Sequence, residues 1–443
     1  MVVSLQGKEF TLIATGDAMI TKRVSVLDEK RFLDLVEIVR KGDAVYTNLE
    51  MLIHDYEGYP NQSSGGTYMR ASPIVLEELK WMGFNIVSTA NNHSIDYSYD
   101  GLLTTIKNLD RAGLVHCGTG RNLAEARAPA FLDTSKGRVA MISLDSNENA
   151  NAIAGEARRD MQGRPGLNPL RAKKRYTLDS ESWRNLTKLV TKLDPLAFRG
   201  RHPKPLGHKT KEIELFGTEF RRGKKIGITT IPEQKDVAGN LRSIKEAKRQ
   251  ADWVLVAHHA HWNESTNHQV TAGFLKDFAR KCLNSGADAY IGHGAHLLQG
   301  IEIYKRKPIF YSLGNLFMQQ NMVSKLPEDF YQPYDLGPEA TPQDAFDMRL
   351  KKSPGFRRMF IKDPQYTESI IAVSEFERHE LSSLKLYPIE MGHGKARQHL
   401  GTPLLADEVR AKSIITRLEK LSKPLGTKIQ YVNGIGQVKL SWH

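Results

Sequence analysis

Residues 84–112 read "FNIVSTANNHSIDYSYDGLLTTIKNLDRA". The run "FNIVS" is short and apolar, like a buried strand, and "DGLLTTIKNLDRA" has helical spacing. Between them "TANNHSIDY", Thr89 to Tyr97, puts two amides, an imidazole and a carboxylate at the strand's carboxyl end. Buried polar groups cost folding free energy unless something there uses them. The stretch therefore reads as strand, site and helix in succession.

The same alternation runs through the first half of the chain. Strand-like runs are "FTLIATGD", "AVYTNLE", "NIVSTANN", "LVHCG" and "RVAMISLDS", and helical patterns cover 28–40, 73–82 and 100–112. Further on come "KIGITTIP", a helix near 240–250, "WVLVAHHAHW", a helix near 269–284, and "AYIGHGAH". "GIEIYKRKPIFYSLGN" reads as a hairpin turning at Lys305 and Arg306. "SIIAVSEFE" and "SLKLYPIEM" read as an antiparallel pair, and a last helix is expected over 405–421. This pattern predicts the α/β class, layered and with much parallel sheet. One domain over 1–443 is expected, with two insertions: a basic lobe at 155–225 and a loop-rich segment or lid at 319–368.

With 40% hydrophobic and 26% charged residues, the composition is that of an ordinary globular protein. No run of about 18 apolar residues suggests a membrane span. The start, "MVVSLQGKEF", lacks the pattern of a secretory signal. Two cysteines, Cys117 and Cys282, make no disulfide framework, so a cytoplasmic location is expected. The net charge is +13, and residues 155–225 hold 19 Lys+Arg against 8 Asp+Glu, which is +11 of it. Within that segment Trp183, Leu186, Leu189, Val190 and Leu193 have helical spacing, with Asp179 or Ser180 placed to cap. No stacking aromatics accompany the charge, so nucleic acid is not the expected partner.

Several strands end in groups able to bind a metal or move a proton. They are Asp17; Asn48 and Glu50; Asn91, Asn92 and His93; His258, His259, His261 and Glu264; and His293 and His296. In open α/β sheets ligands bind at strand carboxyl ends. His and carboxylate together suit Zn, Mn or Fe, and suit acid–base work. A lone Asp after a strand is usually a turn former. Repetition across separate strands, with the His293-x-x-His296 pair, is what points to a site.

These residues carry a resemblance. "ATGDAMI", "DAVYTNLE", "YMRASP", the 83–120 block, "AHWNES" and "GADAYIGHGAHLLQGIEIYKRKPIFYSLGN" resemble, in order, the CapA family of poly-γ-glutamate capsule biosynthesis proteins. The resemblance implies a four-layer αββα sandwich similar to calcineurin-like metallophosphatases. It places Asp17 at the first-motif Asp, Asn92 at the third-motif Asn and His93 at the acid. His261, with His259 as the alternative, falls at the fourth-motif His, and His293 and His296 at the last pair. Two departures stand out. Asp17-Ala18-Met19 lacks the His of the Asp-x-His motif, and Asn48 with Glu50 replaces a bridging Asp. Members that work in capsule assembly are typically membrane-anchored, and no anchor is read in this chain.

The expectation is an enzyme, a hydrolase or transferase acting on an amide or phosphoester of an acidic small molecule, peptide or polyglutamate. Asp17, His93 and His296 are the candidate catalytic residues. Arg70, Asn91 and Glu264 are candidate substrate contacts, and Glu50, Asn92, His261 and His293 candidate ligands for at most one divalent metal (Mn, Zn or Fe). One alternative is a metal-free epimerase using Asp17 and a histidine of the last pair. Another is a non-catalytic polyanion-binding component of polyglutamate biosynthesis.

Overall fold

The computed structural model describes residues 9–147, 150–193, 212–215, 218–262 and 267–440. Its ten-stranded sheet centres on Phe10–Met19. That strand runs parallel to Ala44–Leu49 and Asn315–Met318 and antiparallel to Glu368–Glu377. Ile86–Ser88 and Val115–Cys117 extend the parallel side. Glu380–Glu390 and the hairpin Lys428–Val432/Ile435–Lys439 extend the other. A six-stranded sheet has the order Ile301–Tyr304, Lys307–Phe310, Ala289–His293, Trp253–His259, Gly137–Asp145, Ala130–Thr134.

Side chains alternate across a strand, so one strand serves two cores. Phe10, Leu12, Ala14 and Tyr46 pack with Met141, Trp253, Leu255 and Ile291 between the two sheets, and Phe10 stacks on Trp253 at 4.4 Å. Ile13, Val45 and Val87 instead meet Phe32, Leu35, Val75 and Leu79 of the helices Lys30–Val39 and Ile74–Met82. Ala140, Ile142, Val254 and Val256 meet Val237, Ile244, Phe274 and Phe278 of Gln234–Lys248 and Gly273–Asn284. Gly83 and Gly113 end two helices in the left-handed conformation, at φ 108° and 66°. Among the described residues no helix is long and apolar enough to cross a membrane.

Both segments expected as insertions contain structure of their own. Glu212–Leu215, Thr218–Arg222, Ala172–Leu178 and Gly227–Pro232 form a four-stranded sheet. The helix Ser180–Leu193 packs on it through Trp183 and Val190, against Ile213 and Leu215. Asp179 is the cap, accepting from the Ser182 N–H at 2.8 Å. "KIGITTIP" looked like a return to the core, but its strand pairs with Ala172–Leu178 and extends this added sheet. The stretch 319–368 looked aperiodic, yet it holds the helix Pro342–Lys352 and several shorter turns. Phe330, Phe346, Phe356 and Phe360 join it to the outer core of the large sheet. Its helices are shorter than a periodicity window, and prolines at their first turns read as loop.

Candidate metal centre

Asp17 sits on a bulge, where register shifts on both sides of the central strand. A Cβ at Gly16 would lie 2.0 Å from Gly314 O, so only glycine lets the "SLGN" segment approach this closely. That approach gives the Asp17 N–H a bond to Gly314 O at 2.9 Å. The fully buried Asp17 carboxylate accepts from Asn48 Nδ2 (2.8 Å) and from the Gly294 N–H (3.0 Å). On the other sheet His259 and His293 are partners in register on adjacent parallel strands, so their rings share one face. Their Nδ1 atoms are 2.9 Å apart, and each lies near Asp17 Oδ1, at 3.6 and 3.4 Å. Tyr46 OH meets His293 Nε2 at 2.9 Å. His258, one residue earlier, faces the opposite side and bonds Ser146 and Tyr290.

Glu50 follows its strand directly and is fully buried, with no hydrogen-bond partner for either carboxylate oxygen. Its Oε1 lies 3.5 Å from His259 Nε2 and 3.7 Å from His296 Nε2. His261 Nε2 is 3.0 Å from His259 Nε2. His296, in the left-handed region at φ 54°, is 3.5 Å from Asp17 Oδ2 and is oriented by Asn315 Oδ1 at 2.9 Å. Three sets of possible ligands result, each within 4.8 Å: Asp17, His259 and His293; Glu50, His259 and His261; Asp17, Glu50 and His296. This cluster could hold a metal ion.

The two carboxyls divide. Burial pushes Asp17 up, but hydrogen bonds from His259, His293 and His296 outweigh it and hold the group well below the usual range. Burial, and then the Asp17 charge, push Glu50 well above it. Burial lowers His259 to about 4. Burial would lower His296 as well, but Glu50 and Asp17 raise it to about 10. Charged and neutral groups thus alternate in a small volume, a pattern typical of functional sites.

Beside the cluster lies a cavity of about 510 Å³, lined by Ser63, Ser64, Gly65, Asn92, Asn147, Lys174, His261 and Trp262. Asn92 donates Nδ2 to Gly65 O at 2.8 Å, which leaves its buried Oδ1 without a partner. His93 Nδ1 is 2.6 Å from Asp96 Oδ2. Lys174, from the basic segment 155–225, stands over the Trp262 ring at 5.0 Å.

Other expected contacts fall elsewhere. Asn91 is 1% exposed and spends its amide on Leu49 O and the His93 N–H, so it braces the turn. Arg70 donates to His54 O and Asp55 and lies over the Tyr56 ring at 3.8 Å. Glu264 lies outside the described residues. Met19 is 1% exposed and packs in the outer core.

Sequence reasoning put His259 second to His261, but the geometry makes it central. Strict alternation along "AHHAHW" was the signal, since His259 and His261 share a face that His258 does not. Asn315 and Asp145 are site neighbours that the strand-end pattern does not single out. Asp145 pairs in register with His259, is buried with Oδ1 unpaired, and is pushed up to about 8 by burial.

Fold and cluster together define an α/β protein with a buried carboxylate–imidazole centre suited to a metal ion. Residues 11–320 match the family described as "Bacterial capsule synthesis protein PGA_cap", and the chain belongs to that family. It is 35% identical to two uncharacterized proteins of Sinorhizobium fredii, y4sH and y4uA, over 97% of this chain and 93% of each of theirs. It is 23% identical to "Capsule biosynthesis protein CapA" of Bacillus anthracis, over 71% of this chain and 61% of that one. It is also 24% identical to "PGA biosynthesis protein CapA" of Bacillus subtilis, over 69% and 62%.

Proposed function

We propose that this protein is a metal-assisted hydrolase or transferase acting on an amide or phosphoester of an acidic, glutamate-like substrate. The two facing sheets, with helices outside both, suit the metallophosphatase-like sandwich that the sequence resembles. The observation that carries the reading is Glu50: a buried carboxyl beside His259 and His296 whose two oxygens accept no hydrogen bond is costly unless a ligand there meets them. The donor set fits Mn, Zn or Fe, with Asp17, Glu50, His259, His261, His293 and His296 as the available ligands and Asn92 Oδ1 at the cavity edge. We assign one ion, because Met19 packs in the apolar core where the metallophosphatase Asp-x-His motif has its histidine. A bound divalent ion supplies Lewis acidity toward a carbonyl or phosphoryl oxygen.

The chain's own groups do the rest. Asp96 accepts from His93 Nδ1–H, which leaves Nε2 to take up a proton from water and pass it to a leaving group. Asn315 orients His296 and Tyr46 steadies His293. Lys174, on the cavity wall, draws an anionic substrate toward the site, which suits a family named for capsule and polyglutamate synthesis. A two-base epimerase is less well served. Asp17 and His296 are 3.5 Å apart and paired with each other, which leaves no room for a substrate carbon between them.

The test is hydrolysis of short γ-glutamyl peptides and of phosphomonoesters after chelation and after return of Mn²⁺, Zn²⁺ or Fe²⁺. Metal-dependent turnover that Asp17→Asn abolishes supports the proposal. Full turnover after exhaustive chelation overturns it.

A further inference from the structure

The segment 319–368 shares an apolar cluster with Tyr68 and Met69 and hydrogen-bonds to the cavity loop through Arg349. Arg349, on the helix Pro342–Lys352, donates from Nη1 to Thr67 Oγ1 at 2.7 Å. Its guanidinium lies 4.2 Å from the Phe356 ring centre and 5.5 Å from that of Phe330. Among the described residues no carboxylate pairs with it, and burial pulls its pKa down. A cation that gives up water for ring faces gains only about 0.5–2 kcal/mol from each. The bond to Thr67 is its directed contact.

Thr67 is 1% exposed, in a loop that the catalytic turn grips from the other side. Gly65 N–H and Met69 N–H donate to Asp96 Oδ1 and Oδ2 at 2.8 and 2.7 Å. The same Asp96 Oδ2 meets His93 Nδ1, and Gly65 O accepts from Asn92 Nδ2. A Cβ on Gly65 would lie 2.6 Å from Asn92 O, so loop and turn are in tight contact. Ser63, Ser64 and Gly65 form part of the cavity wall. The loop is also held by Tyr68 OH to Asn61 O and by Leu52 N–H to Met69 O, and Thr67 between these contacts bonds Arg349.

We propose that Arg349 is a positioning residue: through Thr67 it seats the 63–69 loop against Asp96, and so fixes the His93 ring and the amide of Asn92, which lines the cavity. The segment 319–368 is then a brace for the site. The proposal extends the reading of His93 as proton donor, but its test needs neither substrate nor metal.

Two measurements on the full chain decide it: hydrogen exchange over 63–69, and the nitrogen signals of the isotope-labelled His93 ring. In the unmutated protein His93 Nδ1 is expected to be protonated, donating to Asp96 Oδ2 at 2.6 Å. Thr67→Val removes one hydroxyl and keeps the shape, and Arg349→Met keeps a stem between the two rings. Either is expected to speed exchange at 63–69 at least about tenfold and to mix the His93 tautomers. Arg349→Lys, which retains a donor and a charge, is expected to restore most of the protection. The double variant is expected to be no worse than the more affected single one, as for two ends of one contact. Should Arg349→Met fail to fold, Thr67→Val carries the test alone. Unmutated exchange rates and His93 signals in Thr67→Val overturn the proposal. So does loss in Arg349→Lys equal to that in Arg349→Met. Failure of the hydrolase reading would leave both signals untouched, so the two claims can fall separately.

Discussion

Glu50 and His259 come from different sheets and meet with Oε1 and Nε2 3.5 Å apart, both side chains wholly enclosed. Neither has an apolar reason to be there. Glu50 keeps a proton to higher pH than an unfolded glutamate, so the stability it contributes is lost as pH rises through its folded pKa. Glu50→Gln removes that cost. The metal-free variant is expected to melt at or above the unmutated protein at pH 7, by the equivalent of about 1–3 kcal/mol. At about 100 Kd of Mn²⁺ or Zn²⁺ the unmutated protein should gain about 2.7 kcal/mol, and the variant little. Thermal melts with and without metal check both signs.

Asp96 holds His93 at 2.6 Å and two loop N–H groups besides. Asp96→Asn keeps the shape but puts a donor where the ring also donates. Turnover of a γ-glutamyl or phosphoester substrate should fall by about 10²–10⁴, with KM changed far less. A rise in KM alone would place His93 in binding instead of proton transfer.

Met19→His would create the Asp-x-His spacing of the metallophosphatases that the sequence resembles, yet Met19 sits in the outer apolar core. The variant should not bind a further ion. It should lose about 1–3 kcal/mol from burying an imidazole without a partner. Denaturant melts and elemental analysis of the variant check this.

His54 is fully enclosed, accepts from the Tyr56 N–H through Nδ1 at 3.0 Å, and is lowered to about 4 by burial and then by Arg70. The folded protein thus binds fewer protons here than the unfolded chain between about pH 6.5 and 4. Stability from this residue is present above that window and lost as pH falls through it. His54→Asn offers an acceptor without the charge, so its melting temperature should drop less between pH 7 and 4.5.

Much of the fold was legible because parallel strands buried on both faces write themselves as short apolar runs, as "AVYTNLE" and "WVLVAHH" do. The hairpin at Lys305 and Arg306 was legible too, and both residues adopt positive φ, 52° and 61°. The last hairpin was overlooked although Asn433-Gly434 is a strong turn signal. Asp17, Glu50, His261, His293 and His296 could be named because polar residues at strand ends lack another purpose. His259 was ranked second because a histidine inside an apolar run looks like core. Only the register with His293 shows which face it takes. Arg70 and Asn91 bond backbone groups of His54, Leu49 and His93, pairings that a sequence does not show.

Metal content tests the central claim most directly. Protein purified without chelator, or reconstituted with Mn²⁺, Zn²⁺ or Fe²⁺ and then desalted, should carry about one divalent ion per chain by elemental analysis. Asp17→Asn and His259→Ala should each lose it. A chain that retains no ion from any of the three, or that holds two tightly, contradicts the account.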